Sequence, residues 1–505
     1  MIRTARLISP ILCVACAVLL MATAPQALAQ RTLGPYKDVK QMPTGEIGQR
    51  ITELIETVNA NNPEKTRAFI ESHFTDRFRN FAPMEQHLEV IGELYSQSRG
   101  FEFYGIRKYE AKTPPTEFVV ILRNKLTQSW EAFVLKIEQE PPYKIAGFQF
   151  APARPPSDLP PPKKLSDVEM AKALEAHMDR LVEADAFSGA VLLAKDGKVL
   201  FKQAYGLASK RFNVPNKTDT KFNLGSMNKM FTSVAILQLV ERGKLSLEDP
   251  LSKFLSTDWL PQEITEKIRI KHLLTHTSGL GSYFNETYMN SAKALFRNLD
   301  DYKPLITDST LAFDPGTDWQ YSNTGMFLLG VVIEKATGQD YFDYIRDNVY
   351  KPAGMINTDC YEMDKPVPNL AMGYSKDASD DGPGWTNNLY KHVIRGGPAG
   401  GGFSTVEDLL RFDIALRSHK LLSAEFTELV WSAKPDLKSP DYGFGFGVSG
   451  TPENRIVGHS GGFSGISSKL DIYLDSGYTV AVMSNYDHGS HPVSSKAWEW
   501  ITARK

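Results

Sequence analysis

Gly225-Ser226-Met227-Asn228-Lys229-Met230-Phe231-Thr232-Ser233-Val234-Ala235-Ile236-Leu237-Gln238-Leu239-Val240 is the stretch on which the reading of the whole chain depends. Met230, Phe231, Val234, Leu237 and Val240 recur at the spacing of a buried helix, and Gly243 ends the run. Three residues span just under one helical turn, so Ser226 and Lys229 fall on one face, one above the other. A hydroxyl is a poor nucleophile until a base takes its proton, and an amine one turn away can take it. Burial disfavours an ammonium ion, and the helix N-terminus carries partial positive charge. Both lower the pKa of Lys229 and fit it for that task. Alone, the tetrapeptide equally describes a serine near a helix start beside a solvated lysine. Its companions decide.

Working outward, Ser166-x-x-Glu169 is a capping box that opens an amphipathic helix through Met170, Leu174, Met178, Leu181 and Val182. A hairpin follows, residues 190–194 and 199–205 around an Asp196-Gly197 turn. After the central helix the pattern is helical with long loops. Strands return at residues 455–457, 467–474 and 478–483, before a last helix holding Ala497, Trp498 and Ile501. The expectation is one sheet assembled from both ends of this domain, an all-helical insertion between them, and a site in the crevice. Two segments could reach that crevice. Asp314-Pro315-Gly316-Thr317-Asp318-Trp319-Gln320-Tyr321-Ser322-Asn323 ends in Tyr-x-Asn, and Val457-Gly458-His459-Ser460-Gly461-Gly462 closes a strand.

Taken in this order, Ser226-x-x-Lys229, Tyr321-x-Asn323 and His459-Ser460-Gly461 resemble the three motifs of the serine β-lactamase and penicillin-binding-protein superfamily. The branch is the class C-like one, which holds β-lactamases, D,D-carboxypeptidases, D-aminopeptidases and esterases. Lys271-His272-Leu273-Leu274-Thr275-His276-Thr277-Ser278-Gly279-Leu280, and Gly401-Gly402-Phe403-Ser404-Thr405 ahead of Asp408-Leu409, belong to the same resemblance, which spans residues 165–503. It implies that Ser226 attacks an acyl carbon, that Lys229 accepts its proton, and that Tyr321 shuttles that proton to the leaving group. The phenol of Tyr321, beside a Lys229 ammonium, is expected to have a lowered pKa. Asn323 would fix Lys229 and hold a substrate carbonyl, with His459, Ser460 and Gly461 on the substrate side. The backbone N–H groups of Ser226 and Gly462 would form an oxyanion hole, each donor worth about 3 kcal/mol in the transition state. No cofactor and no metal is implied.

The third motif departs from the pattern. Most β-lactamases and D,D-peptidases of the superfamily carry Lys-Thr-Gly or Lys-Ser-Gly there, a fixed cation for the substrate carboxylate. His459 replaces it with a group whose charge depends on pH. A small ester or a D-amino-acid amide or peptide is therefore the expected substrate, ahead of a β-lactam. The Ser-Asp-Asn of class A enzymes is absent too. A β-lactamase or D,D-carboxypeptidase acting on peptidoglycan-type substrates is the alternative. A non-catalytic peptidoglycan- or partner-binding protein of the same fold is another. Gly458-His459-Ser460-Gly461-Gly462 also fits the Gly-x-Ser-x-Gly elbow of α/β-hydrolases, which requires a helix directly after it. Tyr288-Met289-Asn290 repeats Tyr-x-Asn without the Pro-Gly-x-x-Trp lead. Asp487-His488-Gly489-Ser490-His491 lacks zinc-hydrolase spacing and reads as a loop before the last helix.

The remainder sets limits. At 505 residues the chain is too long for one core. A formal charge of −2 leaves no basic footprint for nucleic acid. Arg3 and Arg6, the apolar run from Leu7 to Leu20, and Ala27-Leu28-Ala29 read as a secretory leader, residues 1–29, cut after Ala29. This predicts a periplasmic or secreted protein with no membrane span once the leader is removed. Cys13 and Cys16 leave with it, so Cys360 stands alone and an intrachain disulfide is excluded. Residues 31 to 43 read as an unstructured lead. Over residues 45–150 three helical patterns precede four period-two runs, an α+β order that resembles the cone-shaped nuclear-transport-factor-like fold, a scaffold or partner-facing module. Residues 151–164, dense in proline, read as an extended semi-rigid linker to the hydrolase-like domain at 165–505. The predicted class is α+β in two domains, with oligomeric state open.

Overall fold

In the computed structural model, which describes residues 36–109, 114–160, 164–376 and 384–503, contacts divide the chain into two units, Met1–Lys163 and Lys164–Lys505. The expected leader and its two cysteines lie outside the described residues. Among the described residues no helix is long and apolar enough to cross a membrane.

In the first unit, strand β1 (Tyr36–Val39) precedes helices α1 (Glu46–Ala60), α2 (Pro63–His73), α3 (Asp76–Arg79) and α4 (Met84–Ser98). Strands β2 (Phe101–Tyr109), β3 (Glu117–Asn124), β4 (Trp130–Ile137) and β5 (Ile145–Pro152) then form an antiparallel meander, with β1 paired on β2. Asn62 caps α2 by accepting from the Lys65 amide, with Pro63 at the first helical position. Leu54, Ile70, Val120, Leu122, Phe133 and Leu135 are fully buried between helices and sheet.

Two expectations for this unit are corrected. The lead is not unstructured from residue 36 onward, because β1 is stitched to the sheet by a buried ion pair. Arg107 donates to both carboxylate oxygens of Asp38 at 2.8 and 3.0 Å, and its guanidinium lies 3.9 Å from the Tyr36 ring centre. The proline-rich segment, expected to be an extended semi-rigid linker, is instead bonded to this unit over its first part. Arg154 O accepts from Arg107 at 2.9 Å, Pro155 O from the Tyr36 hydroxyl at 2.8 Å, and the Ser157 amide donates to Asp38 at 3.2 Å. These contacts join residues far apart in sequence, so local pattern could not reveal them. Side-chain exposures of 2% for Arg107 and 0% for Asp38 leave no water to replace a lost partner. Asp38→Ala is therefore expected to destabilise this unit by about 3–5 kcal/mol. Urea unfolding, with hydrogen exchange at β1 and β2 to localise the loss, measures it.

The second unit opens with α5 (Asp167–Glu183), whose Ser166–Glu169 capping box is formed. Strands β6 (Gly189–Lys195) and β7 (Lys198–Tyr205) then join β8 (Gly447–Thr451), β9 (Asn454–Phe463), β10 (Ile466–Tyr473) and β11 (Tyr478–Ser484) from the other end of the unit. The antiparallel order is β8-β9-β10-β11-β6-β7. Alternation along β11 assigns the two faces. The Tyr478 hydroxyl bonds Asp167 of α5, with α9 (Ser490–Thr502) packed on the same layer. Thr479, one residue on, bonds Asp413 of α8 (Val406–Arg417), while Ala481 and Met483 join the main core.

The insertion carries α6 (Asn228–Glu241) and α7 (Asn323–Thr337), which pack against each other. It is not all-helical. Phe222–Asn223 pairs with Phe403–Ser404 and Tyr374–Lys376 with Trp385–Asn387, and the first of these small ladders flanks the turn before Ser226. From Asn228 to Leu239 every residue of α6 is buried, so it is a central helix with no solvent face.

Candidate active site

Ser226 lies in a one-turn 3-10 helix, Gly225–Met227, that runs straight into α6 and places Lys229 in its first turn. Two glycines allow the close approach this needs. Gly225 has φ +50, and a Cβ there would press on Gly461 Cα and the Gly462 amide nitrogen. A Cβ at Gly461 would overlap the Leu224 carbonyl oxygen. Strand β9 thus lies directly against the turn that carries Ser226. Asn223 holds the turn's other side, accepting from the Gly225 amide at 2.8 Å and donating to His392 Nε2 at 2.8 Å.

Lys229 has 0% exposure. Its Nζ donates to Asn323 Oδ1 at 2.9 Å and to the Ala399 carbonyl at 2.5 Å, and lies 4.9 Å from the Tyr321 ring centre. Burial holds its pKa well below the usual lysine range. A neutral amine has two N–H bonds. With both given to Asn323 and Ala399, its lone pair is left for a proton. The expected helix-terminus effect is not needed, since burial alone accounts for the direction.

Tyr321 sits just outside the N-terminus of α7. Ser322 is the N-cap, accepting from the Gly325 amide at 2.8 Å, and Asn323 is the first helical residue, so Tyr-x-Asn is a helix-entry motif. The 271–280 stretch fixes this entry from behind. His276 O accepts from the Gln320 amide at 2.9 Å and His276 Nδ1 from the Ser322 amide at 3.1 Å. The phenol hydrogen-bonds Ser226, which lowers its pKa, yet burial outweighs this and pushes it above the ordinary range. The expectation of a cation-lowered phenol is corrected: burial outweighs the Ser226 hydrogen bond and sets the direction, so Tyr321 is a neutral phenol. Asn323 is occupied on both sides, its Nδ2 donating to Ser282 Oγ at 3.2 Å. Ser282 takes one of the two Nδ2 N–H groups, and the other can donate to a carbonyl.

The third motif lies in the last residues of a strand, as expected: β9 ends at Phe463 and is paired with β10 at His459–Leu470, Ser460–Lys469, Gly461–Ser468 and Gly462–Ser467. Gly462 is followed by a strand and not by a helix, so the α/β-hydrolase elbow is excluded, and Ser460 lies exposed on the sheet. The expected pH-dependent charge at His459 is also corrected. Nδ1 lies 2.5 Å from the Ser460 carbonyl, which can only accept, so Nδ1 carries the proton. Nε2 then accepts from the Tyr442 hydroxyl at 2.9 Å. Burial, reinforced by Lys229, pushes the pKa of His459 down to about 3. Four residues further along β9, Phe463 stacks on Phe284 with ring centres 6.0 Å apart.

The structure therefore brings Ser226, Lys229, Tyr321 and Asn323 together, with Gly461 and Gly462 against the same turn. Tyr288 instead packs in an aromatic cluster with Tyr283, Phe284 and Phe296. His491 falls inside α9, and among the described residues no group of three or more His, Cys, Asp or Glu is disposed to hold a metal ion. Sequence reasoning missed Ala399, Tyr442 and Ser282. A signal existed for the first alone: Gly396-Gly397-Pro398-Ala399-Gly400-Gly401-Gly402 marks a close backbone approach.

The family model described as Beta-lactamase matches residues 171–503. Penicillin-binding protein 4* of Bacillus subtilis is 34% identical over 327 residues, 62% of this chain and 71% of that protein. Esterase EstB of Burkholderia gladioli is 29% identical over 392 residues, 67% of this chain and 97% of that protein. The solved structure of a D-stereospecific amidohydrolase from Streptomyces superposes with a TM-score of 0.53 at 27% identity, covering 66% of this chain and 99% of that one.

Proposed function

The chain belongs to the Beta-lactamase family, and from that premise we propose that it is an exported serine hydrolase that forms an acyl-enzyme on Ser226 and hydrolyses a small ester or D-amino-acid amide that lacks a carboxylate. Its relatives include penicillin-binding proteins, an esterase and a D-stereospecific amidohydrolase, which supports hydrolase chemistry. In this reading the Ser226 hydroxyl passes its proton to the lone pair of Lys229 as Oγ bonds the acyl carbon. The carbonyl oxygen becomes an oxyanion between the N–H groups of Ser226 and Gly462. Tyr321 gives its phenol proton to the leaving group and takes one from the Lys229 ammonium, and water reverses these steps to release the acid.

The state of His459 carries the choice of substrate. With both ring nitrogens engaged and its pKa pushed down to about 3, it offers no cation to a carboxylate. The first unit is read as a nuclear-transport-factor-like scaffold, the expected 45–150 extended by β1 and by residues 151–157, after a leader at 1–29; its helices-then-meander order supports this. The test is a hydrolysis panel of short p-nitrophenyl esters, D-amino-acid amides, D-Ala-D-Ala peptides and nitrocefin. Cleavage of esters or amides, with nitrocefin and carboxylate-ended peptides about a hundredfold slower in kcat/KM, is expected. Rapid nitrocefin turnover would favour the β-lactamase reading instead. Wild-type protein inert to the panel and unlabelled by a fluorophosphonate would favour the binding-protein one.

A further inference from the structure

We propose that His276 is a positioning residue for Tyr321, gripping the backbone on both sides of it so that the phenol is presented to Ser226. The proposal rests on the role read for Tyr321 above. The grip has two points, the His276 carbonyl on the Gln320 amide at 2.9 Å and its Nδ1 on the Ser322 amide at 3.1 Å. Between them the imidazole lies against Tyr321 itself, ring centres 4.4 Å apart. Tyr442 lies 4.7 Å away and Trp319 edge-on at 6.0 Å. Motion of the Tyr321 loop would break these contacts together.

Two costs at this residue argue against simple packing. His276 is 0% exposed, and among the described residues its Nε2 has no hydrogen-bond partner. Because Nδ1 accepts from Ser322, the proton must sit on Nε2, so a buried donor is left unpaired among ring faces. The backbone has φ +61, the left-handed region where a ring-bearing side chain is strained. An apolar ring would fill the same space without the orphan donor. What it could not do is accept from the Ser322 amide. Burial, with Lys229 and His459 nearby, also keeps His276 neutral, the only state with a lone pair for that amide.

The test separates the acceptor from the ring. His276→Asn tolerates φ +61 and keeps an acceptor oxygen where Nδ1 was. His276→Gly tolerates the same φ and has no acceptor, and His276→Phe keeps a ring without one. With a p-nitrophenyl ester, the Asn variant is expected within about fivefold of wild-type kcat. The Gly and Phe variants should fall about 30- to 100-fold, with KM changed less than about threefold. In a Tyr321→Phe background, His276→Gly should cost less than about threefold more, because its effect acts through Tyr321. Losses that multiply in the double variant, or wild-type kcat in His276→Gly, would overturn the proposal. If His276→Phe fails to fold by circular dichroism, the Gly–Asn comparison stands, and unfolding of all three variants assigns His276 to stability and overturns it. Wild-type kcat in Tyr321→Phe would instead remove the role of Tyr321, a failure visible before His276 is touched.

Discussion

Ser226→Ala is expected to reduce kcat by about 10^4-fold or more on every substrate the wild type cleaves, with fold and stability nearly unchanged. The size follows from what is removed. In the proposed mechanism no acyl-enzyme forms without Oγ, and the proton path from Lys229 through Tyr321 has nothing to activate. What would survive is binding and the two proposed backbone donors, which would still polarise a carbonyl for direct attack by water. The fold should tolerate the change because the side chain is small, half-buried and hydrogen-bonded to the Tyr321 hydroxyl, while Gly225, Asn223 and Gly461 shape the turn. Single-turnover kinetics and fluorophosphonate labelling followed by peptide mapping check this. Label at any serine other than Ser226, or retained turnover in the variant, removes Ser226 from the chemistry.

Lys229→Met should lower kcat/KM by about 10^3-fold, the size of a lost general base. Methionine keeps an unbranched chain in a slot with no solvent, so the loss reports on the amine. The wild-type pH profile carries the same information with a definite sign. In the proposed mechanism Lys229 acts as the neutral amine, so kcat/KM should rise as pH climbs through the lowered pKa of Lys229 and stay level above it. His459, which titrates near pH 3, should not shape that limb. Stability follows the same group. Between its lowered folded value and the unfolded value near 10.5, Lys229 binds a proton in the unfolded chain but not in the folded one, so stability increases with pH across that window. The slope should flatten in Lys229→Met. Urea unfolding at several pH values measures it, and an equal slope in both proteins would place the titration elsewhere.

Several parts of this molecule were legible before any coordinates. The capping box at Ser166, the hairpin at 190–205 and the terminal strands follow from periodicities of 3.6 and 2 and from local turn chemistry. The order of the three motifs led to the family. Strand β1 was illegible because four residues carry too little pattern, and its partner Arg107 is remote. The pairing of Phe222–Asn223 with Phe403–Ser404 was hidden for the same reason.

The site divides along the same line. Sequence alone determined which groups are available, namely a serine and lysine one turn apart, a Tyr-x-Asn, and a histidine where a lysine is usual. These are matters of covalent order and helical geometry, which neighbours in sequence dictate. Only the tertiary structure decided their protonation. Enclosure of Lys229, capture of both nitrogens of His459, and the neutral phenol of Tyr321 arise from groups such as Ala399, Tyr442 and His276, brought in from elsewhere in the chain. Charge in a protein interior is set by desolvation and by the partners the fold supplies, and neither is written in the residues that carry the charge.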